Sequence, residues 1–315
     1  MALGTNHVTG SGKAAGTAQT FIPEIWSDEI IAAYEKNLVL ANLVNRMPMT
    51  GKKGDTIHIP KPNRGAASAK TAEAQVTLIA ATESEVQVAI NQHYEYSRLI
   101  EDITDVQALA SLRQFYTSDA GYALATQVDT DLFDLTLELS NSDGDGSTAA
   151  DSWYQVGSGG ALTDYVDDAN AKTDIAGDGV FDALLRNMIQ TLDDNDVPMD
   201  QRALVIPPSV RNTLMGVDRY NSSDFVDGRP VQNGRIGSLY GVDVYISTNC
   251  KTHDGTNKDG TVMLLLQKDA FVFAEQMGVR TQTQYKQEYL GDLFTADTLY
   301  GVKALRPENA VAVLV

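Results

Sequence analysis

The sequence predicts an α+β protein, and three observations carry that reading. Residues 104–140 contain no proline and step their apolar side chains by threes and fours, as one long helix does. Residues 279–289 alternate instead. Val279, Thr281, Thr283, Tyr285 and Tyr289 fall on one side and Arg280, Gln282, Gln284, Lys286 and Glu288 on the other, the pattern of a long, half-exposed strand. Between 179 and 266, helical and strand patterns are mixed, with no internal repeat.

The chain has 315 residues, 43% of them apolar, enough for one large core or two ordinary ones. The longest apolar run, 262–266, is far short of the roughly 20 residues that cross a bilayer. The first twenty residues lack the continuous apolar stretch of a signal peptide. A lone cysteine, Cys250, excludes an intramolecular disulfide and fits folding in a reducing cytoplasm. A net charge of −18 argues against direct nucleic-acid binding, which needs clustered Lys and Arg to displace counterions from phosphates.

In chain order, a small-residue arm comes first, then an amphipathic helix over 21–46. Pro23 suits its first turn, Glu24, Asp28 and Glu29 its positive end, and Arg46 its other end. Trp26, Ile30, Ala33, Tyr34 and Leu38 form its apolar stripe, expected to dock on the long helix or on another copy of the chain. A hairpin follows. Residues 55–60 place Ile57 and Ile59 in phase, and the partner strand, 85–97, does the same with Val86, Val88, Ile90, Tyr94 and Tyr96.

The connection, 61–84, is long for a compact domain, as a projecting element would be. Residues 50–84 carry five bases (Lys52, Lys53, Lys61, Arg64 and Lys70) against three acids (Asp55, Glu73 and Glu83), a net +2 in an acidic chain. Two readings stand: an ordinary solvated loop, or a basic finger on an acidic neighbour. In the second, the carboxylates are those of the long helix: Asp119, Asp129, Asp131, Asp134 and Glu138.

The helix over 104–140 would be about 55 Å long at 1.5 Å per residue. Its stripe (Leu112, Tyr116, Ala120, Leu124, Val128, Leu132, Leu135 and Leu139) drifts with steps mostly of four, which suits packing across a sheet better than a coiled-coil seam. A Gly/Asp-rich loop ends it. Beyond come a helix at 179–194, a short buried strand at 203–206, a helix started by Pro207-Pro208 and running through Met215, a polar loop at 223–235, and strands at 236–247 and 261–266.

Signatures of site chemistry are weak. Asn141, Asp143, Asp145 and Gly146 imitate an EF-hand start, but Ser152 stands where a bidentate Glu is needed. Gly10-Ser11-Gly12-Lys13 imitates a phosphate loop, yet Ala14 replaces the Ser/Thr. His7, His58, His93 and His253 lie in separate elements without metal-ligand spacing, and Cys250 lies in a Lys- and Asp-rich loop, where a structural thiol is expected. No catalytic residue, cofactor site or metal site is expected.

The succession of elements resembles the tailed-bacteriophage major capsid proteins of the Hong Kong 97 fold. Residues 202–215 (RALVIPPSVRNTLM) are similar to the family's strand-then-helix. Residues 234–247 (GRIGSLYGVDVYIS) are similar to its Gly-x-Ile-Gly-x-x-Tyr-Gly-Val turn and strand, and 295–315 (TADTLYGVKALRPENAVAVLV) to its C-terminus. The resemblance implies an arm (1–48), an extended loop (49–92), a P-domain with a spine helix (93–145), an A-domain (146–283) and P-domain return strands (284–315).

It also implies self-assembly as hexamers and pentamers into an icosahedral shell around double-stranded DNA, built in the host cytoplasm. Scaffolding and portal proteins, and possible decoration proteins, are the implied partners, and no membrane is involved. The negative charge then suits a wall that does not adhere to packed DNA. An encapsulin-like cellular shell and an unrecognised hydrolase are the alternative readings.

Overall fold

The computed structural model describes residues 39–49, 54–62, 67, 69–70, 72–73, 75, 83–102, 112–139, 153–164, 175, 179–215, 237–253 and 260–315. Its centre is a mixed sheet with a helical layer on each face. The strands are β5 (Tyr154–Val156), β6 (Leu162–Asp164), β7 (Arg202–Ile206), β8 (Ser238–Leu239), β9 (Val242–Ile246), β11 (Gly260–Gln267) and β14 (Ala310–Leu314), in the order β6-β5-β14-β11-β7-β9-β8. The short β10 (Thr252–His253) pairs β11 from the side. Strands β7 and β14 are buried at every position, so their apolar runs do not alternate.

The two faces divide the side chains of β11. Val262, Leu264 and Leu266 meet Leu132, Phe133, Leu135 and Leu139, at the end of the long helix α2 (Leu112–Asp134) and in the 3-10 turn after it. Met263 and Leu265 meet Phe181, Leu184, Leu185, Met188 and Leu192 of helix α3 (Val180–Asp194), with Val210 and Leu214 of α4 (Pro208–Met215) beside them.

A second sheet has the order β1-β12-β13-β4, from β1 (Asn45–Pro48), β12 (Phe271–Lys286), β13 (Gly291–Ala304) and β4 (Gln92–Glu101). Strands β12 and β13 form a long antiparallel hairpin with register shifts between Glu275 and Arg280. Those irregularities divide a buried base from an exposed distal end. One sheet face lies on α2, where Ala120 and Leu124 pack with Phe294, Ala296, Tyr94 and Tyr96. At the base, the other face is covered by the hairpin of β2 (Thr56–Pro62) and β3 (Glu83–Ala89), through Val88, Ile90, Ile57 and Ile59 on Val272 and Ala274.

Several expectations are corrected. The strand read as 85–97 is two strands that break at Ile90-Asn91 and join different sheets. At this break the β3 backbone closes on β13: a Cβ on Gly301 would lie 2.2 Å from the Ala89 carbonyl oxygen, so only glycine fits. The described helix ends at Asp134, about 35 Å along, and a 3-10 turn (Leu135–Glu138) carries the stripe onward. Residues 104–111 lie outside the described residues.

Tyr289 belongs to the turn after β12, and the strand beyond Val279 is exposed on both faces rather than one. Arg46 sits in β1, not at a helix end. The helix there, α1 (Leu40–Leu43), is only four residues long, although Arg46 Nε still donates to its Ala41 carbonyl at 2.8 Å. Finally, the segment 284–315 divides between sheets, because β14 pairs β11 and β5 in the central sheet.

Candidate functional site

The helix α2 and its carboxylates are the candidate site, and each predicted carboxylate has a partner within its own chain. Asp119 accepts the Tyr96 hydroxyl at 2.7 Å. Arg98 donates to that same hydroxyl oxygen and stacks 4.9 Å from the Tyr116 ring centroid. Asp131 accepts Gln127 Nε2 at 2.8 Å and the Tyr300 hydroxyl at 2.6 Å. Burial first, then that carboxylate, holds the Tyr300 hydroxyl far above the usual tyrosine range. Asp134 holds Lys251 Nζ at 2.6 Å, and Glu138 holds Lys303 Nζ at 2.9 Å.

Asp129 is different. It is 0% exposed and reaches the backbone of another segment, accepting Leu40 N–H at 2.9 Å. Its second oxygen faces Asn249 Nδ2 at 3.4 Å, and that amide also reaches Thr130 Oγ1 at 3.1 Å. Burial raises the Asp129 carboxyl above its ordinary value, while Asn249 and the N–H groups of residues 39–41 pull it partly back. Asp129 also pushes up the buried thiol of Cys250, to about 12, after burial itself. A protonated, enclosed thiol is no nucleophile.

As a surface contact for a neighbouring subunit, Asp129 is therefore a correction: it is enclosed by its own chain. Of the basic residues, Lys61 lies on β2 with its Nζ 3.5 Å from Glu308 Oε1 of the same chain, both half-exposed. Lys70 is exposed. Lys52, Lys53 and Arg64, together with Trp26, Ile30 and Tyr34, lie outside the described residues.

Sequence reasoning missed three features. Asp129 borders the apolar stripe of α2, and a carboxylate there needs a buried donor, which was the available signal. Arg280 and Asp297 face each other across the long hairpin at 2.7 and 3.0 Å, and that bond is the main reason the Asp297 carboxyl lies below its ordinary value. The exposed apolar side chains at the hairpin end, Val279 (55%), Tyr285 (48%), Tyr289 (61%) and Leu290 (65%), are the third. Among the described residues, no group of three or more His, Cys, Asp or Glu could hold a metal ion, and no helix is long and apolar enough to cross a membrane.

A spine helix tied to two sheets, with a long hairpin projecting beyond the core, defines a protein built from extended elements around a packed centre. The sequence profile of the phage capsid protein family matches residues 20–312, and the chain belongs to that family. It is a shell protein of the virion.

No curated protein matches the sequence. A solved structure from Mycobacterium phage Che8 is similar, with TM-score 0.72 and 26% identity, over 94% of this chain and 97% of that one. So is the capsid structure of cyanophage P-SCSP1u, with TM-score 0.72 and 16% identity, over 96% and 95%. The mature capsid of bacteriophage PhiM1 has TM-score 0.69 and 15% identity, over 99% and 96%. The α+β capsid fold expected from the sequence is the fold these structures share.

Proposed function

We propose that this chain is the major capsid protein of a tailed phage, assembling as hexamers and pentamers into an icosahedral shell around double-stranded DNA. The family match over 20–312 is the observation that carries this reading. In it, residues 1–48 are the arm, 49–92 the extended loop, 93–145 with the long hairpin the P-domain, and the central sheet the core of the A-domain. The chain acts by packing, not by catalysis. A scaffolding protein and a portal are its partners in assembly, with decoration proteins as possible additions to the shell.

Negative-stain microscopy of the expressed protein, alone and with phage lysate, tests the proposal. Closed particles are the expected result. A monomer in the ultracentrifuge under both conditions would overturn it.

Within that shell, the arm stripe of Trp26, Ile30 and Tyr34 and the cations Lys52, Lys53, Lys61, Arg64 and Lys70 are the proposed contacts with adjacent subunits. The acceptors are exposed carboxylates other than Asp129. Reversing Lys61, Arg64 and Lys70 to Glu should slow assembly, with the wild-type advantage shrinking as salt rises. Equal assembly across the salt series would leave the loop merely solvated.

A further inference from the structure

The chain treats its sheet edges unequally. In the β2–β3 hairpin, Ile90 N–H bonds the Asp55 carbonyl, so the register directs the backbone groups of Ile57, Ile59 and Lys61 inward. Thr56, His58, Pro60 and Pro62 therefore turn theirs to the outer edge. Both prolines fall on positions where an N–H would otherwise invite another strand, and proline has none to offer. The outer strand of the second sheet, β4, carries Glu95, Arg98 and Glu101 along its length, charges of the kind that discourage pairing.

The distal part of β12 is less protected, because its register shifts lie between Glu275 and Arg280, before most of its exposed length. Its outer edge pairs with β1 only from Val272 to Glu275, with Met49 N–H adding a bond to the Glu275 carbonyl. From Met277 to Lys286, no described strand pairs with that edge. The stretch has no proline and no carboxylate. One of its two cations, Arg280, is turned back onto Asp297 within the sheet. Val279 stands exposed on the same strand, and Tyr285, half-exposed, leans the other way to donate its hydroxyl to Asp102. A long, extended, nearly uncharged edge is a template for strand addition.

We propose that this edge, from Met277 to Lys286, is completed by an extended segment of a second copy of the chain. The proposal rests on the shell reading above. Charge selects the occupant. Two copies of a −18 chain repel over most of their surfaces, and a carboxylate-free edge is where a second copy approaches without that penalty. Backbone hydrogen bonds supply the contact, and Val279 supplies apolar surface on the same strand.

Amide hydrogen exchange on assembled particles and on dissociated subunits is the test. The alternate amides between 279 and 285 that point to the outer edge should exchange quickly in subunits and on the order of a hundredfold more slowly in particles, whereas those bonded to β13 are protected in both. Fast exchange in both would overturn the proposal while leaving the shell reading intact. Slow exchange of those outward amides already in the subunit would overturn it too, because a segment of the same chain would then cover the edge. Failure to form particles at all overturns the shell reading and this proposal with it.

Thr281→Pro and Gln282→Pro add a second measurement, since neighbouring residues turn their N–H groups to opposite edges. The variant that loses the outward N–H should melt like wild type yet fail to assemble. Normal assembly of both variants would count against strand addition.

Discussion

The central sheet and the long hairpin are both made of strands, yet they obey opposite rules. Strands β7, β11 and β14 are buried between two helical layers and read as continuous apolar runs. The distal half of β12 reads as strict alternation and is exposed on both sides. Alternation ordinarily marks a strand with one wet face and one dry face. Here the dry face is missing from the subunit. Periodicity alone therefore does not say whether a strand has a dry face within its own chain.

The contrast yields graded predictions. Leu265→Ala in the central sheet should cost about 2–5 kcal/mol of subunit stability, because Leu265 is fully enclosed on the α3 side. Urea unfolding reads this, and a loss below 1 kcal/mol would mean the sheet is less tightly packed than described. Asp129→Ala removes the acceptor of Leu40 N–H and should cost about 1–3 kcal/mol.

Asp129→Asn isolates the charge. Burial raises the folded-state carboxyl above its unfolded value, so its stabilising share is present at low pH and is lost as pH rises through the folded value. Wild type should accordingly gain on Asp129→Asn as pH falls from neutrality toward the ordinary carboxylate range. Parallel melting curves at each pH would show instead that the backbone donors cancel the cost of burial.

Tyr300→Phe deletes the hydroxyl bond to Asp131 but keeps the ring between Tyr94 and Phe273, a loss of about 1 kcal/mol in thermal unfolding. The smallest effect belongs to the hairpin. Gln284→Ala should change subunit stability by less than about 0.5 kcal/mol, since the residue is exposed on an already exposed strand. A large loss there would erase the distinction between the two regions.

What the sequence revealed follows the same division. The strands over 202–206 and 260–267 and helices α3 and α4 were legible because burial on fixed faces writes itself into residue type. The break at Ile90-Asn91 was not. Val86, Val88, Ile90, Tyr94 and Tyr96 keep even spacing straight through it, and the contact made there, with Gly301, is distant in sequence. The helix end at Asp134 was equally silent. No glycine or proline stops it, and the turn that replaces it is fixed by Trp153, whose indole N–H donates to the buried Thr136 hydroxyl at 3.2 Å.

The partners that the acids have within their own chain were not legible for a related reason. Charge counting finds Asp119, Asp131, Asp134 and Glu138 but says nothing of the tyrosine hydroxyls and lysines that meet them within the fold.

The short segment from Val39 to Pro48 is fastened at both ends. Asp129 grips its first residues from α2, and β1 lies in parallel register with Val272–Glu275 of β12. Helix, strand and strap thus form a closed triangle. A triangle keeps its shape unless a side stretches, whereas two members joined at one point swing freely. The ten-residue strap therefore braces an angle that the packing of Ala120 and Leu124 on Phe294, Ala296, Tyr94 and Tyr96 already sets. Cutting the Asp129 fastening removes that brace and leaves the packed face alone to hold the angle.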